Sequence, residues 1–264
     1  MQVDIKHTSD PYVLDFILGY DKMPALTRKN ANFIEAVVNL DSNYAKDSQI
    51  IPPDEKFDVN VHFSNAEGRF CGSTAYWFKK LKDKEIDFRT GILGAIVAID
   101  TVNSTHLEAA KDGRLEMRER ICTRCANVNE LILELNKEYS INVEDHLISL
   151  LTKSIPAKGK NGERYNLSFA SKFCSYASIY LGTEVQYSKY DNVVSDALPY
   201  YEEVYLGVKR KKTEYKVNQN ASDKFSYLLD LYKRYSKCIE KILAETDLNK
   251  EELDHIIWYG YKGR

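Results

Sequence analysis

The chain has 264 residues, 44% of them hydrophobic, enough for one large domain or two intimate lobes around a core of ordinary size. Its net charge of −2 neither demands nor forbids nucleic acid, because a binding face is a local arrangement of Lys and Arg. No hydrophobic run approaches the roughly 20 residues that cross a bilayer, and the opening MQVDIKHTSDPY is acidic and broken by Pro11, unlike a signal peptide, so a cytoplasmic location without membrane contact is expected.

Residues 1–67 lack sustained period and carry Pro11, Pro24, Pro52 and Pro53, which predicts loops with short helices around PYVLDFILGY and NANFIEAVVNL. From residue 68 to 264 the pattern is helical. GSTAYWFKKLKDK, TGILGAIVAIDTVNS, a charged run from about Glu108 to Tyr139 and VEDHLISLLTKSI all place apolar residues three and four apart. A turn-rich gap, PAKGKNGERYN, leads into SFASKFCSYASIYLGTEVQYSKYDNVVSDAL. The basic loop GVKRKKTEYKVNQNAS follows, then the long helix SDKFSYLLDLYKRYSKCIEKILAE and a closing helix NKEELDHIIWYG ended by Gly260. No strand pattern competes, so the fold class expected is mainly α.

On a helix over 169–181, Phe169, Phe173, Tyr176 and Tyr180 share one face and Lys172 stands about 60° from Phe169, bordering that stripe. A lysine stem against aromatic surface is partly desolvated, which favours the neutral, nucleophilic amine. Gly182 supplies a helix stop, and a second helix over 192–206 opens on Asp191 as N-cap, a position where helix N–H groups favour the anion. Taken singly, a border lysine usually snorkels to solvent and a capping Asp usually does no chemistry. Their joint spacing, nineteen residues across helix, turn and helix start, points to a pair.

SFASK and YDNVVSDAL, at that spacing, resemble the lysine-bearing and aspartate-bearing elements of the helix-hairpin-helix DNA glycosylase superfamily, most closely the branch with the 8-oxoguanine DNA glycosylase fold. DHIIWYGYKG is similar to the ending of small bacterial members, and ILGAIVAIDTVNSTHLEAA to the helix and turn that insert a residue into the duplex. The resemblance covers residues 68–264, with the hairpin and active-site segment at 165–206, and is carried most specifically by 168–198. It implies two helical lobes flanking an active-site cleft. In one respect the sequence departs: aligning on Lys172 puts Ser168 and Ala170 where the family has hairpin glycines, so a phosphate contact there passes to Asn166 and Ser168.

The resemblance implies that double-stranded DNA carrying a damaged or modified base is the partner, that the base is flipped out, and that no cofactor is needed. Lys172 attacks the sugar C1′ and forms a Schiff base whose collapse nicks the strand; Asp191 stabilises positive charge on the sugar. Tyr176, one turn after the lysine, and Trp258 on the last helix hold the base, and Asn103 fills the space it leaves. Lys209, Arg210, Lys211 and Lys212 form a basic loop suited to phosphates. Oxidised purines, alkylated bases and the hypermodified cytosines of phage genomes all fit, as do repair and phage defence. A non-catalytic DNA-binding module of the same fold, or a helical protein-interaction domain using the nineteen tyrosines, is the alternative. Cys122 and Cys125 in CTRC have metal or redox spacing but no second CxxC or HxxxH partner, so they are expected to be a structural pair of reduced thiols.

Overall fold

A computed structural model describes residues 3–10, 13–20, 23–35, 71–103, 105–137, 145–158 and 162–262. Over these the protein is mainly helical: α1 over 28–35, α2 (Cys71–Lys82), α3 (Phe88–Val102), α4 (Gly113–Arg124), α5 (Val128–Leu135), α6 (Leu147–Thr152), α7 (Leu167–Leu181), α8 (Asn192–Leu206), α9 (Lys224–Leu243) and α10 (Lys250–Ile257). Two short antiparallel pairs join them, β1 (Ile5–Lys6) with β2 (Phe16–Ile17) and β3 (Ile155–Pro156) with β4 (Glu163–Arg164). Among the described residues no helix is long and apolar enough to cross a membrane. The chain divides into two compact units, Met1–Leu40 with Ser188–Arg264, and Asp41–Tyr187. The boundary expected at residue 67 lies outside the described residues.

In the Asp41–Tyr187 unit, α2 and α3 approach closely because Gly94 has no side chain: a Cβ there would lie 2.3 Å from the Trp77 ring. α3 and α6 both pack on α7, whose buried residues cover nearly the whole helix rather than one stripe. Phe78 meets Phe173 edge-on with centroids 5.7 Å apart, and Tyr176 and Tyr180 stack with planes 2° apart. Gly182 ends α7 at φ +76°, in the left-handed region that glycine enters without penalty.

In the Met1–Leu40 and Ser188–Arg264 unit, three helices open on a side-chain cap, of which Asp191 is the one expected. Asp191 caps α8, Asp223 caps α9, and Asn249 with Glu252 forms a capping box on α10. Many of the tyrosines are structural here. Tyr201 donates to the carbonyl of Pro24, Tyr232 to Ser188, Tyr235 to Lys189 and Tyr190 to Tyr215, so buried hydroxyls satisfy loop carbonyls that lack helical partners.

Three expectations are corrected. The helix around PYVLDFILGY is absent from its described part: residues 13–20 carry β2 and a turn at Gly19, held by the buried Asp15 carboxylate, which accepts from Thr8 N and Lys29 Nζ. The charged run is broken between α4 and α5, where Asn127 turns the chain and accepts from the backbone N–H of Asn129 and Glu130. Gly260 does not stop the last helix; it lies inside a π-helical turn (Trp258–Lys262), and a Cβ there would sit 2.5 Å from Pro24 Cγ.

Candidate active site

Three of the residues nominated from sequence meet within the Asp41–Tyr187 unit. Asn103 closes α3, its backbone N–H donating to the carbonyl of Ile99 at 2.9 Å. Lys172 Nζ lies 3.4 Å from the Asn103 carbonyl oxygen, and the Tyr176 hydroxyl donates to Asn103 Oδ1 at 3.2 Å. Asn103 Nδ2 is buried and has no hydrogen-bond partner among the described residues. One helix thus supplies an amine and a phenol one turn apart, and the end of another supplies the carboxamide between them.

The expectation that Lys172 borders the core is corrected: it is only 4% exposed. A lysine so placed is costly to bury unless it is hydrogen-bonded. Tyr176 is buried as well.

The turn that presents Asn103 is fastened by a residue that the sequence reading missed. The buried Asp100 carboxylate accepts from Thr105 Oγ1 at 2.6 Å, Leu107 N at 2.8 Å and Arg114 Nε at 2.7 Å. Arg164 adds a bond from Nη2 to the Thr105 carbonyl at 2.8 Å. His106, between these anchors, takes a left-handed φ of 59°, unusual for a residue with a side chain and sustained by the ties around it. The signal was present: a carboxylate closing the apolar run GILGAIVAID requires partners.

Asp191 belongs to the other unit. It has the extended backbone of an N-cap, φ −132° and ψ 145°, and Oδ1 accepts from Val193 N at 2.8 Å, so the carboxylate is fixed where the helix dipole favours a negative charge. Trp258, half-buried, stands where α10 gives way to the π-helical turn and meets Tyr259 edge-on at 5.0 Å.

The nominated phosphate contacts divide. Asn166 is buried, and its Nδ2 donates to the carbonyls of Lys153 and Arg164, so it braces the β3–β4 hairpin and is not offered to a ligand; this corrects its assignment as a phosphate contact. Ser168, in the first turn of α7, is half-buried. Lys209, Arg210, Lys211 and Lys212 lie in an exposed loop as expected. Arg210 is drawn to the buried Glu202 carboxylate at 3.2 Å and Lys212 lies over the Tyr200 ring at 5.4 Å, while Lys209 and Lys211 make no ion pair among the described residues.

Cys122, Cys125, Cys174 and Cys238 are free thiols. Burial pushes Cys125 up to about 12, so it stays protonated near neutral pH. No cluster of His, Cys, Asp and Glu suited to a metal occurs among the described residues. No family model, curated protein or solved structure matches the chain.

Proposed function

We propose that the protein is a DNA glycosylase with the helix-hairpin-helix, 8-oxoguanine DNA glycosylase-like fold, acting on a damaged or modified base extruded from duplex DNA. The observation that supports this reading is the buried Lys172 amine on the Asn103 carbonyl, beside Tyr176 and at the edge of a strained turn. Such an amine is held in position on its helix, as a nucleophile needs to be. The Lys172 amine attacks the sugar C1′; the glycosidic C–N bond breaks, its electron pair leaves with the base, and the base takes up the proton that the nitrogen loses. The resulting amine opens the sugar ring to a Schiff base. Asp191, at its helix start, is assigned the role of offsetting the positive charge that develops on the sugar.

The reading is tested by presenting the purified protein with duplexes that each carry one modified base, and reading abasic sites together with borohydride-trapped adducts. At least one duplex should yield both. If none yields an abasic site, a non-catalytic DNA-binding module accounts better for the same residues.

A further inference from the structure

The last turn of α2 carries Lys79, Lys80 and Lys82. Lys80 is engaged, pairing with Glu85 and lying over the Tyr76 ring at 5.5 Å. Lys79 and Lys82 are exposed, and neither makes an ion pair or hydrogen bond among the described residues. Both border a cavity of about 540 Å³ whose other lining residues are Ala75, Tyr76, Asp83 and Tyr180, a size ordinary for a small-molecule site. Lys82 Nζ is placed over the turn that ends α7, 3.4 Å from where a Cβ on Gly182 would lie.

A pair of packed rings links the cavity wall to the candidate site. Tyr180 lies parallel to Tyr176 with centroids 6.2 Å apart, and the Tyr176 hydroxyl reaches Asn103. Tyr180 follows Lys172 by two turns of one helix, about 12 Å along its axis. Flat rings in the wall, two ammonium groups on the rim and one opposing carboxylate, Asp83, leave the lining net positive and aromatic.

We propose that this cavity takes one unpaired nucleotide of a DNA strand, its base against the Tyr76 and Tyr180 rings and its phosphate at Lys79 and Lys82. The choice of DNA rests on the proposed function; the nucleotide chemistry rests on the cavity. Every base offers a π-face to a tyrosine, so stacking tolerates sequence, and lysines act on phosphate as point charges. The base must be unpaired, because duplex stacking hides the face that the rings contact.

The experiment measures fluorescence anisotropy of a labelled, unmodified single strand of about twelve nucleotides, within the usual span of single-strand sites, against the full chain over a salt series. Unmodified DNA offers no base to excise, so the outcome is independent of glycosylase activity. Joint Lys79→Ala and Lys82→Ala substitution should weaken binding at least tenfold and flatten the log–log salt slope by about 0.7 for each phosphate left without its lysine. Tyr76→Leu should weaken it several-fold with the slope unchanged. Native protein without single-strand affinity, or lysine variants that bind as tightly as native, would overturn the proposal. A free deoxynucleoside monophosphate competing as well as the oligonucleotide would overturn the assignment to a strand.

Discussion

Two lysines, one in each compact unit, are buried in different surroundings. Lys172 is 4% exposed and Lys189 5%. Lys172 Nζ lies 3.4 Å from the Asn103 carbonyl oxygen, and Lys189 Nζ faces two carboxylates on α10, Asp254 at 3.6 Å and Glu251 at 3.9 Å. An ammonium between two anions is stabilised in its charged form and is a poor nucleophile; it fastens α10 to the chain ahead of Asp191. On the proposed function Lys172 does chemistry, while Lys189 at equal burial fastens a helix.

The largest expected effect breaks or upholds that comparison directly. Lys172→Gln should abolish borohydride trapping completely, with far-UV circular dichroism verifying that the buried replacement still folds. Lys189→Gln should retain trapping while losing about 1–3 kcal/mol of unfolding free energy in urea, discounted because Glu251 is partly exposed. Trapping that survives the first change and vanishes with the second would exchange the two roles.

Acid sharpens the contrast from the Lys189 side. His255, next to this cluster, is pushed down to about 4, first by burial and then by the Lys189 charge. Because its folded value lies below the unfolded one of about 6.5, its contribution to stability is fully present above pH 6.5 and is lost as pH falls towards 4. The contribution is about 3 kcal/mol. Lys189→Gln should move the His255 titration upward, read from its imidazole NMR signals, and shrink the acid loss. A titration unmoved by the substitution would separate the two residues. In the other unit His146 is also lowered, chiefly by burial, and its Nδ1 accepts from Ile148 N to cap α6, so some acid sensitivity will remain there.

Asp100→Asn addresses the Lys172 side more gently. Its three hydrogen bonds hold the turn that offers Asn103. Losing the charge should cost about 1–3 kcal/mol and slow trapping while leaving duplex affinity unchanged. Unaltered trapping would mean that the turn needs no such clamp.

The local parts of this arrangement were legible in the sequence. Gly182 and Asp191 announce helix ends because caps act within a few residues, and α8 begins and ends where the pattern placed it. The burial of α7 on nearly all sides was hidden because serines count as polar. Ser171 and Ser178 bond back to the carbonyls of Ser168 and Ser175, so their hydroxyls enter the core already satisfied. The N-terminal segment misled for the converse reason: Asp15 and Asn30 organise it through bonds fifteen residues apart, beyond any local period. Arg210 was read as one of four equivalent cations for the same cause, since Glu202 lies eight residues away.

That last difference yields the smallest effect. Of the four cations in the basic loop, Arg210 is turned to Glu202, whose other oxygen accepts from Tyr215 at 2.7 Å, and Lys212 lies over Tyr200. Lys209 and Lys211 therefore carry what phosphate attraction the loop has. Replacing both with Ala should weaken every duplex alike by a few-fold and lower the salt slope by up to about 0.9 for each phosphate no longer neutralised. Arg210→Ala should barely change the slope, because its charge is already met by a carboxylate, and should instead lower stability by leaving Glu202 short of a partner. If Arg210→Ala flattens the slope as much as the lysine changes do, the Glu202 pair opens for DNA, and a bound cation is no more occupied than an unbound one.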